Sequence, residues 1–271
     1  MCVIIPFDLH THCTLSFDGK SSAEDMCKRA VELGVRHYAL TDHIDLGEFP
    51  DPDFDLEATV NGAKEQIPAL QRKYAGSTEL LYGVELGQAV HDKALADKLL
   101  AENDYDFVIG STHFIRGHED FYFLDYTDTD VTELLRLYFE ELLETAEWGR
   151  FDVMGHITYP LRYITGDHGI DADLSQYRVI IDEILRAVIK NDRGIEINTS
   201  GLRQKFGRMF PDADIVRRYR ELGGRILTVG SDAHCTDDLG KGVAEGLAAA
   251  RECGFTEIAV FKKRTVNFIH I

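Results

Sequence analysis

Arg225-Ile226-Leu227-Thr228-Val229-Gly230-Ser231-Asp232-Ala233-His234 is a short apolar run that breaks into a glycine, a carboxylate and an imidazole. It reads as a buried strand delivering polar groups at its C-terminal end. The same grammar recurs along the chain. Residues 3–9 run into His10-Thr11-His12, residues 37–40 into Thr41-Asp42-His43, and residues 80–86 carry Glu85. Residues 106–110 lead to Ser111-Thr112-His113, residues 151–154 to Gly155-His156, and residues 194–197 contain Glu196 and reach Asn198.

Between these strands lie helical patterns at 23–33, 56–74, 94–102, 132–148, 177–190, 213–222 and 243–252. The first opens on Ser21-Ser22-Ala23-Glu24, a capping box, and stops at Gly34. Residues 258–261 read as a short final strand. Strict βα alternation implies a parallel sheet with helices outside. Seven such units in 271 residues favour a closed TIM-like (βα)7 barrel over an open sheet, because barrels of this kind run to ~250 residues. The chain is expected to form one domain over 1–271.

Composition narrows the function. Hydrophobic residues are 44% and charged residues 28%, an ordinary globular balance. Asp and Glu number 47 against 29 Lys and Arg, a formal net charge of −18. That excess repels phosphate backbones and anionic membranes, so no nucleic-acid or membrane partner is expected. No apolar run approaches a membrane span, and the first residues do not read as a signal peptide. The five cysteines, Cys2, Cys13, Cys27, Cys235 and Cys253, are odd in number and scattered. They read as reduced thiols of a cytoplasmic protein.

In a barrel the C-terminal ends of the strands meet on one face. His10, His12, His43, Glu85, His113, His156, Asp232 and His234 should therefore share one bowl, with Asp18 as a further candidate. His10 and His12 point the same way, because side chains alternate along a strand. Imidazole and carboxylate together are the ligand set of zinc, manganese or iron, and eight or nine groups suit two or three ions rather than one. Single histidines at strand ends are commonly structural; here all seven strand ends would have to carry such groups by accident. His37, His91, His118, His168 and His270 are given no role.

The segments FDLHTH, ALTDHID, GVELG, GSTHF, VMGHITY, GIEINTSGLR, TVGSDAH and VFKKR occur in this order over nearly the whole chain. Together they resemble the polymerase-and-histidinol-phosphatase (PHP) superfamily of metal-dependent phosphoesterases, and within it the histidinol-phosphate phosphatase branch. The resemblance implies a distorted seven-stranded barrel and a trinuclear metal site. Carried over by position, the first ion takes His10, His12, Glu85 and Asp232. The second takes Glu85 as a bridge, with His113 and His156. The third takes Asp18, His43 and His234; many members of the family have histidine where this chain has Asp18. Glu85, Asp232 and His234 are the expected catalytic residues. The substrate implied is a small phosphomonoester, L-histidinol phosphate, cleaved to L-histidinol and phosphate in histidine biosynthesis. The alternatives are a phosphatase for another small monoester or nucleotide, and a non-catalytic metal-binding domain.

Three divalent ions against Asp18, Glu85 and Asp232 would leave the pocket at roughly +3 within an acidic protein. A phosphate dianion is drawn into such a bowl. Arg116, Arg162 and Arg203 follow strands on the same face and are the candidate phosphate ligands, since guanidinium grips phosphate in two-pronged fashion. Asp8 and Asn198 are expected behind the ligands, orienting them or, for Asn198, touching substrate. Cys13, Cys235 and Trp148 are expected to pack. Phe121, Tyr122, Phe123 and Tyr126 either wall an imidazole-sized pocket or pack their own loop.

Overall fold

The computed structural model describes residues 6–48 and 54–271. The eight strands β1 (Phe7–Asp8), β2 (His37–Leu40), β3 (His43–Asp45), β4 (Glu79–Gly87), β5 (Phe107–Ser111), β6 (Val153–Met154), β7 (Gly194–Asn198) and β8 (Leu227–Gly230) pair in parallel. β2 and β3 lie in one register against β4 and form a single strand broken at Thr41-Asp42. The sheet thus has seven positions and is nearly closed. Leu9 N–H donates to Val229 O (3.2 Å), His12 N–H to Ala233 O (2.8 Å) and Asp232 N–H to His10 O (2.7 Å). The expected barrel is the observed one; residues 3–5 of the expected first strand lie outside the described residues.

Helices α1 (Ala23–Leu33), α2 (Leu56–Tyr74), α3 (Lys93–Glu102), α4 (Val131–Trp148), α5 (Arg178–Lys190), α6 (Ala213–Glu221) and α7 (Val243–Glu252) fall between the strands and after β8. Four begin on a side chain that accepts from the backbone of the first turn: Ser22, Asp55, Asp92 and Asp130. The α1 cap is one residue later than the expected box: Ser22 accepts from Asp25 N–H and donates to its carboxylate at 2.7 Å. Gly34 ends that helix in the left-handed region, φ 73°, a conformation glycine adopts without strain.

Strand alternation divides apolar packing from chemistry. In β7, Ile197 lies toward α7, against Gly246, whereas Glu196 and Asn198 point inward, to His10 and Asp232. Gly230 sits where any Cβ would strike His10 and Glu196, so β8 approaches β1 only because this position carries no side chain.

The opposite end of the barrel is closed by an antiparallel hairpin that sequence periodicity only half revealed. β9 (Glu257–Lys262) matches the expected final strand and pairs with β10 (Thr265–His270). Its turn residues Lys263 and Arg264 have φ of 47° and 62°. The turn reaches two carboxylates at the starts of strands. Asp106 accepts from Lys262 Nζ (3.0 Å) and Lys263 N–H (3.1 Å). Asp152, fully buried, accepts from Val108 N–H and Arg264 Nε–H. Removing one partner of a buried ion pair strands the other charge. Arg264→Ala should therefore lower unfolding free energy by about 3 kcal/mol, the low end of that range because the arginine is partly exposed. Urea denaturation measures this; a loss below about 0.5 kcal/mol, typical of plain surface substitutions, would refute the bracing role.

Candidate metal centre and its cleft

Glu85 sits inside a ring of imidazoles with no solvent exposure. Its Oε2 lies 3.0 Å from His10 Nε2, 3.1 Å from His43 Nδ1 and 3.4 Å from His12 Nε2. Its Oε1 lies 2.7 Å from His156 Nε2 and 3.1 Å from His113 Nε2, and accepts from Ser111 Oγ–H at 2.6 Å. Asp232 Oδ1 approaches His12 Nε2 (3.3 Å) and His234 Nδ1 (3.6 Å). Asp18 lies at the mouth, with Oδ2 2.9 Å from His234 Nε2 and Oδ1 3.8 Å from His43 Nε2. All nine side chains expected in the bowl are brought together. The backbone of Asp232 is in the left-handed region, φ 54°, which turns its side chain back over the rim.

Glu85 bonds to His10, His113 and His156, but other groups of the bowl face one another without completing hydrogen bonds. His12 Nε2, His43 Nδ1 and His234 Nε2 are buried and have no hydrogen-bond partner of acceptable geometry, although carboxylate oxygens stand close to each. Three triads have donor atoms within 4.8 Å of one another: His10–His12–Glu85, His43–Glu85–His113 and His12–His43–His234. Lone pairs and carboxylate oxygens converging on shared points are the donor set of divalent cations. Charge agrees. Burial alone would raise the Glu85 and Asp232 carboxyls, but the surrounding histidines hold both well below the usual carboxylate range. Burial, with His43 and His234 beside it, pushes His12 down to about 3, so its ring is neutral and a lone pair is available.

Behind the bowl stands a layer that sequence reasoning largely missed. Glu196 Oε1 is 2.7 Å from His10 Nδ1, and Asp45 Oδ1 is 2.9 Å from His113 Nδ1. A carboxylate only accepts, so each of these Nδ1 atoms carries a proton, which leaves Nε2, turned toward Glu85, as the atom that would meet an ion. Asp42 accepts from Ser16 Oγ–H at 2.8 Å, and Ser16 Oγ lies 3.3 Å from His12 Nδ1. The signal for Asp45 was present: His43-Ile44-Asp45 has the alternation of His10-Thr11-His12. Asn198 takes the expected place, donating from Nδ2 to Asp232 Oδ2 at 3.2 Å. Asp8 does not. Its carboxylate accepts from Ser231 N–H, Ser231 Oγ–H and Gly240 N–H, so it fixes the loop after β8 rather than an imidazole. Burial pushes this carboxyl up to about 6.

A cleft of about 670 Å³ opens over the bowl. Arg162 lines it from a wide π-helical turn, Arg162–Asp167, with its guanidinium 5.1 Å from the centre of the Tyr163 ring. Arg203 also lines it, but its two terminal nitrogens donate to Ser231 O (2.7 Å) and Asp232 O (3.1 Å), so both prongs are engaged by the loop that carries Asp232 and His234. Arg116 is not at the cleft. It turns outward to Glu141, Glu144 and Val90 O, because the acidic face of α4 offers closer partners than the bowl. Tyr122 and Phe123 line the cleft mouth, whereas Phe121 and Tyr126 are buried in the loop. Cys13 is buried, its thiol beside Asp42, and Trp148 packs against the core. His91, given no role from the sequence, packs its side chain against Glu141, with Nε2 2.5 Å from Oε1. No helix among the described residues is long and apolar enough to cross a membrane.

Comparison with known proteins agrees with this architecture. A PHP domain profile matches residues 8–200. Proteins named probable histidinol-phosphatase from Thermotoga maritima and Clostridium acetobutylicum are each 30% identical to the chain. The first alignment covers 96% of this chain and 97% of the relative, the second 97% and 99%. The fold is that of the Lactococcus lactis histidinol phosphate phosphatase crystallised with zinc, L-histidinol and phosphate: TM-score 0.83 at 24% identity, over 96% of this chain and 98% of that one. A nearly closed parallel barrel, a histidine-rich bowl at its C-terminal rim and a profile match over most of the sequence lead to one conclusion: the chain belongs to the PHP domain family.

Proposed function

We propose that the chain hydrolyses L-histidinol phosphate to L-histidinol and phosphate, using two or three divalent ions, with zinc, manganese and iron as the candidates. The observation that carries the reading is Glu85, one buried carboxylate approached by five imidazoles. The names of full-length relatives at 30% identity support the substrate. As a biosynthetic enzyme the protein belongs in the cytoplasm, a placement that its unbridged Cys13, Cys27, Cys235 and Cys253 support.

In this reading His10, His12, Glu85 and Asp232 would hold one ion. Glu85, His113 and His156 would hold a second, and Asp18, His43 and His234 a third. His43 also stands close enough to Glu85 and His113 to serve the second position. Bound divalent ions supply Lewis acidity toward phosphoryl oxygen and lower the pKa of coordinated water. The protein supplies position and charge. Glu196 and Asp45 keep the His10 and His113 rings turned inward. Glu85 spans two positions, and Asp232 and His234 set the open side of the bowl. Arg162, with no carboxylate within 4 Å among the described residues, is free to grip the phosphate with both prongs. Arg203 acts chiefly by holding the Ser231 and Asp232 carbonyls.

Metal-reconstituted protein should release phosphate from L-histidinol phosphate far faster than from nucleotide monophosphates or sugar phosphates. Equal or better turnover of a nucleotide would overturn the substrate assignment. Glu85→Gln should reduce the bound metal seen by elemental analysis to no more than one ion per chain and remove activity; unchanged metal content would exclude the bridging role. Glu196→Gln should weaken metal affinity by about 10- to 100-fold, the usual effect of losing a carboxylate behind a ligating histidine.

Arg162→Ala should cost transition-state stabilisation of roughly 2–4 kcal/mol, on the order of tens- to a thousandfold in rate, with metal content unchanged. Arg203→Ala should lose activity together with metal, because the Asp232 loop is released. Full activity in either variant would remove that arginine from the machinery.

A further inference from the structure

The cleft contains one carboxylate that a phosphate site by itself does not need. Asp120 lines the cleft beside Tyr159, Arg162 and Tyr163. The other cleft carboxylates are committed: Asp45 to His113, Asp238 to Lys241, and Asp18, Glu85 and Asp232 to the bowl. Asp120 accepts from Tyr122 N–H at 2.7 Å, and no Lys, Arg or His nitrogen among the described residues lies within 4 Å of its oxygens. Burial pushes its carboxyl upward, and the more distant His113 and His43 rings offset this only in part. Beside a bowl that attracts phosphate, an unpaired carboxylate repels the substrate's anionic end. It is useful only if the substrate brings a cation with it.

The segment is also held in place. Phe121 N–H donates to His113 O at 3.4 Å, Tyr126 O–H donates to Phe121 O at 2.9 Å, and the Phe121 ring is buried edge-on to Tyr138. Asp120 is thereby fixed relative to His113. From the same segment the Tyr122 and Phe123 rings project, 66% and 53% exposed, at the cleft mouth, with Tyr122 6.0 Å from the Tyr163 ring. These exposed rings have a flat apolar surface to offer a ligand.

We propose that Asp120 is the specificity-determining residue that receives the ammonium group of an aminoalkyl phosphate, while Tyr122 and Phe123 flank the substrate's ring. The inference rests on the phosphatase reading and deepens it: an amine next to the phosphate ester is what the cleft selects.

The test compares L-histidinol phosphate with its deamino analogue, 3-(imidazol-4-yl)propyl phosphate, on metal-reconstituted protein. The unmodified chain should prefer the amine-bearing ester. Asp120→Asn should lower kcat/KM for histidinol phosphate by about tenfold to a hundredfold, the scale of removing one partner from a partly buried charge pair. Most of the loss should appear in KM, and turnover of the deamino analogue should be unchanged or faster. Calorimetry should show L-histidinol binding weakened in the variant while inorganic phosphate binding is not. Equal losses on both esters, with the preference intact, would overturn the proposal and leave the phosphatase reading standing. A chain that cleaves other aminoalkyl phosphates in an Asp120-dependent way, but not histidinol phosphate, would overturn the substrate assignment and uphold the role of Asp120.

Discussion

A carboxylate with no water around it must be compensated, and the compensation of Glu85 organises this protein. Its oxygens meet imidazoles from β3 and from the segments after β1, β5 and β6. A burial of that kind is unfavourable unless every partner is in place. The partners come from segments as far apart as residues 10 and 156, and only closure of the barrel brings them together. Site and fold are therefore one constraint: the β8–β1 seam that shuts the barrel also positions His10 against Asp232, and it closes around a glycine that leaves space for His10 and Glu196.

Ligands alone do not define the site. In His10, His12 and His113 the ring nitrogen that faces inward does so with the opposite nitrogen occupied. Glu196 and Asp45 fill that role with full carboxylates, Ser16 with a hydroxyl backed by Asp42. Asn198 and Arg203 perform the matching task for Asp232, one on its side chain and one on its carbonyl. Fixed dipoles and charges of this sort need no reorganisation when the substrate's charge arrives.

The barrel and the bowl were legible because both follow from period. Alternating apolar runs specify strands, and what comes at the end of a strand lands on the rim. Legibility failed where geometry depends on side-chain direction. Arg116 follows a strand like the other two arginines, yet its long side chain swings to the acidic face of α4. Asp8 shares the phase of His10 but bonds the loop after β8. β3 has three residues, too few to carry a period, and β10 alternates too weakly to announce itself. The layer of Glu196 and Asp45 was visible as residues and invisible as roles, since a carboxylate one step behind a ligand looks in sequence like any other.

The hairpin at the barrel floor bears on how the molecule is made. Asp152 is 112 residues from Arg264, and Asp106 is 156 from Lys262. Asp232 and His234 are likewise distant in sequence from the histidines that follow β1. As the chain leaves the ribosome, strands β1 to β7 emerge with their floor carboxylates uncapped and their rim missing Asp232 and His234. Neither end of the barrel can be finished from the early residues. Both are completed by the same late stretch, β8 through β10, so stability and metal affinity should arrive together. A nascent chain arrested before that stretch offers scattered histidines rather than the assembled cluster, so any ion held by the bowl would enter as the act that ends folding.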